Sequence, residues 1–393
     1  MLRVLIFSQE YPPYSWGGVT PFTVNLVNGL RSFGLKVQLV TIGDKEEFYI
    51  QNNGVKVFRI KSSGIYRDEF MDSDAGVKRH FNFLKKVKKL YQTFPKPEIV
   101  ILADGLCYPE AKSYADEFKI PLITMVNQIF SDINHLWDRE LDQMVKLEKL
   151  YFEHSDHLVG GSQYMLKRIQ SLGYGAKASH IYYGWGYNEW MKEDSNIRYG
   201  DSKNRFVFVG RMVPEKGLMV LLEAFRQVHE QIDDVKLLLV GDGMIQKMAK
   251  KFVTEHRLEN KVIFTGTIPW TEICAAFQWA NFSLVPSFNE PFGYVALEAI
   301  MYGCIPLVSH VGGLPEIVRS INFDSLLPID SAEPFIGIPQ ISALSQKLIE
   351  CSKIPEKQRK EIVMEARIQT ARKFNYLSIA MEWICLMNRL SQK

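Results

Sequence analysis

Cysteine is scarce in this 393-residue chain: five residues, Cys107, Cys274, Cys304, Cys351 and Cys385, scattered and odd in number. No C-x-x-C pair joins any of them, so neither a zinc site nor a disulfide framework is indicated, and a reducing cytoplasm is the expected home. Long apolar runs are also missing. None approaches the ~18 uninterrupted residues of a membrane span, so no transmembrane helix is expected. The opening MLRVLIFSQE has one basic residue and an apolar run that stops at Gln9 and Glu10, which reads as a buried strand rather than a secretory signal. A strong charge bias is absent too: the net charge is only +3, compatible with an anionic small ligand but short of a nucleic-acid-binding footprint, so no nucleic-acid partner is expected.

What is present is ordinary globular material. A hydrophobic content of 47% with 23% charged residues supplies apolar area for two cores, and the length is too great for one. The first half alternates β-rich runs (LRVLIFS, KVQLVTIG, EIVILAD, PLITMVN, HLVGGS) with helical patterns, and the alternation restarts with RFVFVGRM, KLLLVGDG, KVIFTG, FSLVPS and IPLVSH. That pattern predicts an α/β protein of two doubly wound, Rossmann-like domains. They are placed at 1–185 and 204–373, with a linker at 186–203. In such sheets ligands bind beyond the carboxyl ends of the strands, so two domains facing across a cleft are expected. The last segment, FNYLSIAMEWICLMNRL, has the pattern of an amphipathic helix, whose destination periodicity does not reveal.

Several strand-end loops carry residues suited to chemistry. After FVFVG comes RMVPEKG, where Arg211 and Lys216 precede a helix. Two cations beside a helix start suit a diphosphate, and solvated loop charges are the plain alternative. GDG at 241–243 is a turn that glycine permits and a ligand can approach, as any tight turn would be. Gly17 and Gly18, in QEYPPYSWGGVTPFTVN, open the backbone just before a helix. Their amides can cradle a phosphate or sugar oxygen; a surface loop with a bend reads the same way.

The stretch SFNEPFGYVALEAIMYG, residues 287–303, raises a sharper question. FSLVPS reads as a strand and GYVALEAIMYG as a helix closed by Gly303, which puts Phe292 and Gly293 at the helix start, where free amides suit an anion. Tyr294, Glu298 and Met301 share a face at i, i+4 and i+7, so Glu298 is an acid among apolar neighbours. Such a carboxylate is costly to bury unless it is paired or hydrogen-bonded. Ribose hydroxyls would satisfy it; so would an internal salt bridge. Glu290, just before the helix, reaches toward a ligand on the amides or simply answers the helix dipole.

Taken together, GRMVPEKG, VGDG, FTGTIPWTEICAAFQWANFSLVPSFNEPFGYVALEAIMYGCIPLVSHVGGLPEIV and EYPPYSWGGVTPFTVNLVNGL resemble the retaining GT-B glycosyltransferases, family 4 most closely, with glycogen and starch synthases as relatives. The likeness covers most of the chain, and its E-x7-E spacing runs from Glu290 to Glu298. It implies a hexosyltransferase that needs no cofactor or metal and binds a nucleotide diphosphate sugar, a UDP-sugar such as UDP-glucose being favoured, mainly in the second domain. Arg211 and Lys216 then match the positions that neutralise the diphosphate, Glu290 the acid near the donor sugar and Glu298 the ribose ligand. Gly17, Gly18, Gly210, Gly241, Phe292, Gly293 and Tyr294 match donor-facing backbone. The terminal helix, from about Phe374, is implied to return to the first domain. Transfer is implied to be front-face, with the leaving phosphate helping to deprotonate the acceptor hydroxyl.

Two places depart from the family pattern. Asn127 stands where many relatives carry histidine, and YYGWG at 182–186 puts Tyr183 and Gly186 where polar residues are common. Asn127 is retained as a donor-side residue, with Asp104 and Ser162 on the acceptor side, although Asp104 also suits a turn cap. The run VKRHFNFLKKVKKLYQTF, 77–94, reads as a core-facing stripe with a lysine face or as a peripheral membrane contact, which keeps lipid-linked as well as sugar-containing acceptors in view. The competing functions are a GT-B-fold sugar-nucleotide epimerase, a disaccharide phosphorylase, or a non-catalytic nucleotide-sugar-binding protein.

Overall fold

In the computed structural model the described residues are 2–15, 17–61, 96–137, 141–186, 199–319, 321–327, 329–333 and 336–392. The run 77–94 and most of the expected linker therefore lie outside the described residues. The chain divides into two compact units, Met1–Tyr187 with Phe374–Lys393, and Asn188–Lys373.

The described residues of the first unit form a sheet of eight strands: β1 (Arg3–Phe7), β2 (Lys36–Gly43), β3 (Glu47–Ile50), β4 (Lys56–Lys61), β5 (Ile99–Leu102), β6 (Leu122–Val126), β7 (His157–Gly160) and β8 (Ala178–His180). Their order is β3-β4-β2-β1-β5-β6-β7-β8. All neighbours are parallel except the β3–β4 edge pair. The central strands are near-continuous apolar runs such as IVIL and LITMV, buried at every position, as a parallel sheet covered on both faces requires. Phe7, Leu102, Tyr114, Tyr151 and Phe152 are among the side chains that fill the core on one of these faces.

The second unit carries six parallel strands, β9 (Asn204–Val209), β10 (Val235–Val240), β11 (Val262–Gly266), β12 (Phe282–Val285), β13 (Ile305–Ser309) and β14 (Leu326–Leu327), in the order β11-β10-β9-β12-β13-β14. A separate antiparallel pair joins Ile329–Glu333 to Ile336–Pro339. In both sheets the winding reverses beside the first strand, between β1 and β5 and between β9 and β12. Loops leaving adjacent strands diverge at such a reversal and leave a crevice. The loops in question carry Gly17 and Gly18, Asp104, Arg211 and Lys216, and Glu290.

Helix Tyr376–Ser391 packs on helix Val19–Ser32 of the first unit. Trp383 is fully buried, its ring centroid 6.1 Å from that of Phe22. Asn375 caps the helix, its side-chain oxygen accepting from the Leu377 and Ser378 amides. The approach to it is fixed by Trp185 N donating to Phe374 O at 2.6 Å and Tyr376 N to Trp185 O at 3.0 Å. Among the described residues no helix is long and apolar enough to cross a membrane. Because Trp383 joins the chain's last helix to its first, Trp383→Ala is expected to cost about 3–5 kcal/mol of first-unit stability. The urea midpoint measures this, and an unchanged midpoint would contradict the packing.

Candidate functional site

In the second unit, β9 runs into Gly210 and Arg211, and a 3-10 turn, Pro214–Lys216, brings Lys216 back toward the sheet. The turn ends on Gly217 at φ 68°, where an added Cβ would lie 2.0 Å from Pro286 O, so only glycine lets this loop close on the exit of β12. Phe288 N completes the junction by donating to Glu215 O at 2.7 Å. Gly241 packs its backbone just as closely on Gly210 O, again with no room for a Cβ.

This junction brings Lys216 and Glu290 together: Lys216 Nζ donates to Glu290 Oε2 at 2.6 Å, with the two side chains 19% and 14% exposed. Ser287 Oγ lies 3.4 Å from the same carboxylate oxygen. Arg211 sits apart from that pair, 3.6 Å from the buried carboxylate of Glu215. Helix Tyr294–Tyr302 starts on Gly293 and closes on Gly303, both with left-handed backbone. Phe292 and Tyr294 are buried at its start in an edge-to-face contact of 5.3 Å. Glu298 lies about one turn in, 6% exposed.

In the first unit Gly18 is the residue before helix Val19–Ser32. Glu10 Oε2 accepts from both Gly17 N and Thr20 Oγ1, each at 2.8 Å, so a carboxylate of the chain itself rests at the helix start. Asp104 is buried and accepts from Gln9 N at 2.6 Å and Leu106 N at 3.1 Å, bridging the loops that follow β1 and β5. Asn127, after β6, donates from Nδ2 to Ala103 O and accepts at Oδ1 from the Tyr183 hydroxyl, both at 2.5 Å. The two departures from the family pattern are therefore bonded to one another. Ser162 is buried and caps helix Gln163–Ile169, its Oγ accepting from Met165 N. Buried Glu148 accepts from Ser131 Oγ at 2.8 Å and from Phe130 N. Arg168 grips Asp132 with Nε and Nη2, so the loop beyond Asn127 is pinned twice.

Two family models match the chain in succession: Glycosyltransferase Family 4 over residues 16–184 and Glycosyl transferases group 1 over 192–367. The chain belongs to the GT-B glycosyltransferases. It is 23% identical over 338 residues to an uncharacterized glycosyltransferase of Methanocaldococcus jannaschii, covering 81% of this chain and 83% of that one. It is 28% identical over 347 residues to glycogen synthase of Mycobacterium tuberculosis, covering 81% and 80%. The fold is similar to that of Anabaena HepE, solved in complex with UDP and glucose, with a TM-score of 0.70 at 18% identity over 99% and 100% of the two chains.

Sequence reasoning missed three features of this glycosyltransferase: the Glu10 contact, the Lys216–Glu290 pairing and the Asn127–Tyr183 bond. Only Glu10 had a local signal, as an acid directly after a buried strand; the others join residues far apart in the chain. The buried acids have a further consequence. Burial pushes the Asp104 carboxyl from its ordinary 3.8 up to about 7, although the Gln9 and Leu106 amides pull it down, and burial takes Glu148 to about 7 as well. A folded-state pKa raised above the unfolded one contributes stability that is fully present below the unfolded value and is lost as pH rises through the folded value. The melting temperature of the glycosyltransferase minus that of Asp104→Asn is thus expected to decrease from pH 4 to pH 7.5. A difference that stays flat or grows with pH would refute the raised pKa.

Proposed function

We propose that this glycosyltransferase is a retaining hexosyltransferase that takes its sugar from a nucleotide diphosphate sugar, with a UDP-sugar such as UDP-glucose favoured, and passes it to a glycan, glycolipid or small-molecule acceptor. The observation that carries the reading is the Lys216–Glu290 ion pair at the second unit's switch point, close in sequence to a helix whose first turns hold a buried glutamate. A donor diphosphate would replace Glu290 as the partner of the Lys216 ammonium and recruit Arg211 as a second cation. Glu290 would then accept hydrogen bonds from the sugar hydroxyls and Glu298 from the ribose. Gly210, Gly241, Phe292, Gly293 and Tyr294 contribute backbone close to the phosphates, where amides at a helix start favour negative charge.

In the reaction the bond from the anomeric carbon to the phosphate oxygen breaks, and the acceptor oxygen bonds to that carbon on the same face. The acceptor's proton passes to the departing phosphate. Charge builds on the leaving diphosphate, where Lys216 and the recruited Arg211 would stabilise it, so the proposal invokes no cofactor, resident metal or protein nucleophile. From the first unit the proposal assigns Gly17, Gly18 and Asn127 to the donor and the loops of Asp104 and Ser162 to the acceptor. The HepE complex supports the choice of a UDP-sugar, and the mild net charge of +3 suits an anionic donor.

Lys216→Ala and Glu298→Ala are each expected to lower donor-dependent transfer by about a hundredfold or more, with melting temperature kept well above that of the assay. A thermal-shift screen of UDP-, GDP- and ADP-sugars identifies the donor, since a ligand that binds only the folded state raises the melting temperature. Wild-type turnover in both variants would refute the assignment. Conversion of the sugar nucleotide without acceptor would indicate an epimerase instead, and phosphate-dependent release of sugar a phosphorylase.

A further inference from the structure

Arg59 stands in the middle of β4 with its side chain fully buried. A guanidinium has five N–H donors, and all five are used. Nε donates to Glu47 Oε1 at 2.8 Å; Nη1 to Tyr11 O at 3.2 Å and Ile42 O at 3.3 Å; Nη2 to Pro12 O at 2.7 Å and the Tyr49 hydroxyl at 3.0 Å. The ring of Tyr14 lies against the group, its centroid 4.7 Å from Cζ. Gly43 leaves the space for this stack, since a Cβ there would meet Arg59 Cδ at 2.5 Å and Tyr14 Cε2 at 2.7 Å. Tyr11 O also accepts from Tyr14 N at 3.1 Å, so the guanidinium grips both ends of one tight turn.

We infer that Arg59 is a positioning residue for glycosyl transfer, which holds the turn Tyr11–Tyr14 and with it Glu10, whose carboxylate takes the Gly17 amide at the start of helix Val19–Ser32. The inference rests on the reading of Gly17 and Gly18 as donor-facing. The loop is pinned at two points: Asp104 takes the Gln9 amide, and Arg59 takes Tyr11, Pro12 and Tyr14. Glu10 lies between those points, and its carboxylate takes the Gly17 amide. Stability alone is a poor reason for such a residue, because a buried ion pair is commonly no better than apolar side chains of similar volume. An apolar residue could not hold two carbonyls and a ring in fixed directions, and a lysine would present a point charge in place of the planar fork.

The experiment compares Arg59→Lys and Tyr14→Leu with the wild type, at a temperature where circular dichroism shows all three fully folded. A ten- to hundredfold fall in kcat is expected for Arg59→Lys, the scale that misplacing a binding element produces, and a smaller fall for Tyr14→Leu. Donor KM should stay within about twofold of wild type, since the second unit still carries Lys216 and Glu298. A merely structural role would lower the melting temperature and leave the kcat of the folded protein unchanged, and that result overturns the inference. If Arg59→Lys fails to fold, Tyr14→Leu decides in the same way. Wild-type kcat in the Arg59 and Tyr14 variants alongside a crippled Lys216→Ala would remove the inference and leave the donor reading standing. Insensitivity of all three would remove both.

Discussion

Lys216 and Glu290 stand 74 positions apart in the chain, and their contact depends on most of what the second unit does. β9 and β12 must be neighbours, as the pairing of Phe206 with Phe282 makes them. The turn after β9 must close on the exit of β12, which Gly217 permits at Pro286 and Phe288 N secures at Glu215. The helix after Glu290 must begin at once, as Gly293 allows. An ion pair that is largely withdrawn from water gains little net free energy, yet losing one partner strands the other charge. The pair is thus better suited to exchange, with an incoming anion taking one partner as the other turns to hydroxyls, than to holding the fold together.

The first unit shows the same logic on a smaller scale. At the start of helix Val19–Ser32 the unfilled amides attract negative charge, and Glu10 supplies it by accepting from Gly17 and Thr20. Both units therefore keep charges of the chain's own at positions where the proposed ligand would bring its charges. Such pairing keeps the unliganded loops ordered and spares binding part of the entropy of arranging them. It also makes a ligand compete with an internal carboxylate, which favours a multiply charged group such as a diphosphate over a single weak anion.

Much of this architecture was legible because parallel strands buried on both faces are unbroken apolar runs; ten of the strands fall within runs that stand out by eye. Helix Tyr294–Tyr302 was legible from its bounding glycines. Strands β3 and β4 were not. Their sequences, EFYI and KVFRIK, carry charges, and the Arg59 that interrupts the pattern is buried by bonds to residues up to 48 positions away. The site divides along the same line. Residue types at strand ends could be read as candidates, because the switch-point rule says where loops matter. Their partners could not, since no local spacing encodes that Lys216 meets Glu290 while Arg211 meets Glu215.

Asn127 and Tyr183 show what a list of single positions hides. Taken separately they are two losses from the family pattern, a ring exchanged for an amide and a polar residue for a phenol. In the fold they are one unit: the phenol donates to the amide oxygen, the amide donates to Ala103 O, and the Tyr183 ring lies 5.0 Å from Phe22, which in turn meets Trp383. Hydrogen-bonded residues couple, so neither change is interpretable without the other. With one lone pair of its oxygen taken by Tyr183 and one hydrogen by Ala103, the Asn127 side chain keeps one N–H and one acceptor lone pair. A ligand at the end of β6, such as the proposed donor, would therefore meet a donor and an acceptor whose directions are fixed by Ala103 and Tyr183.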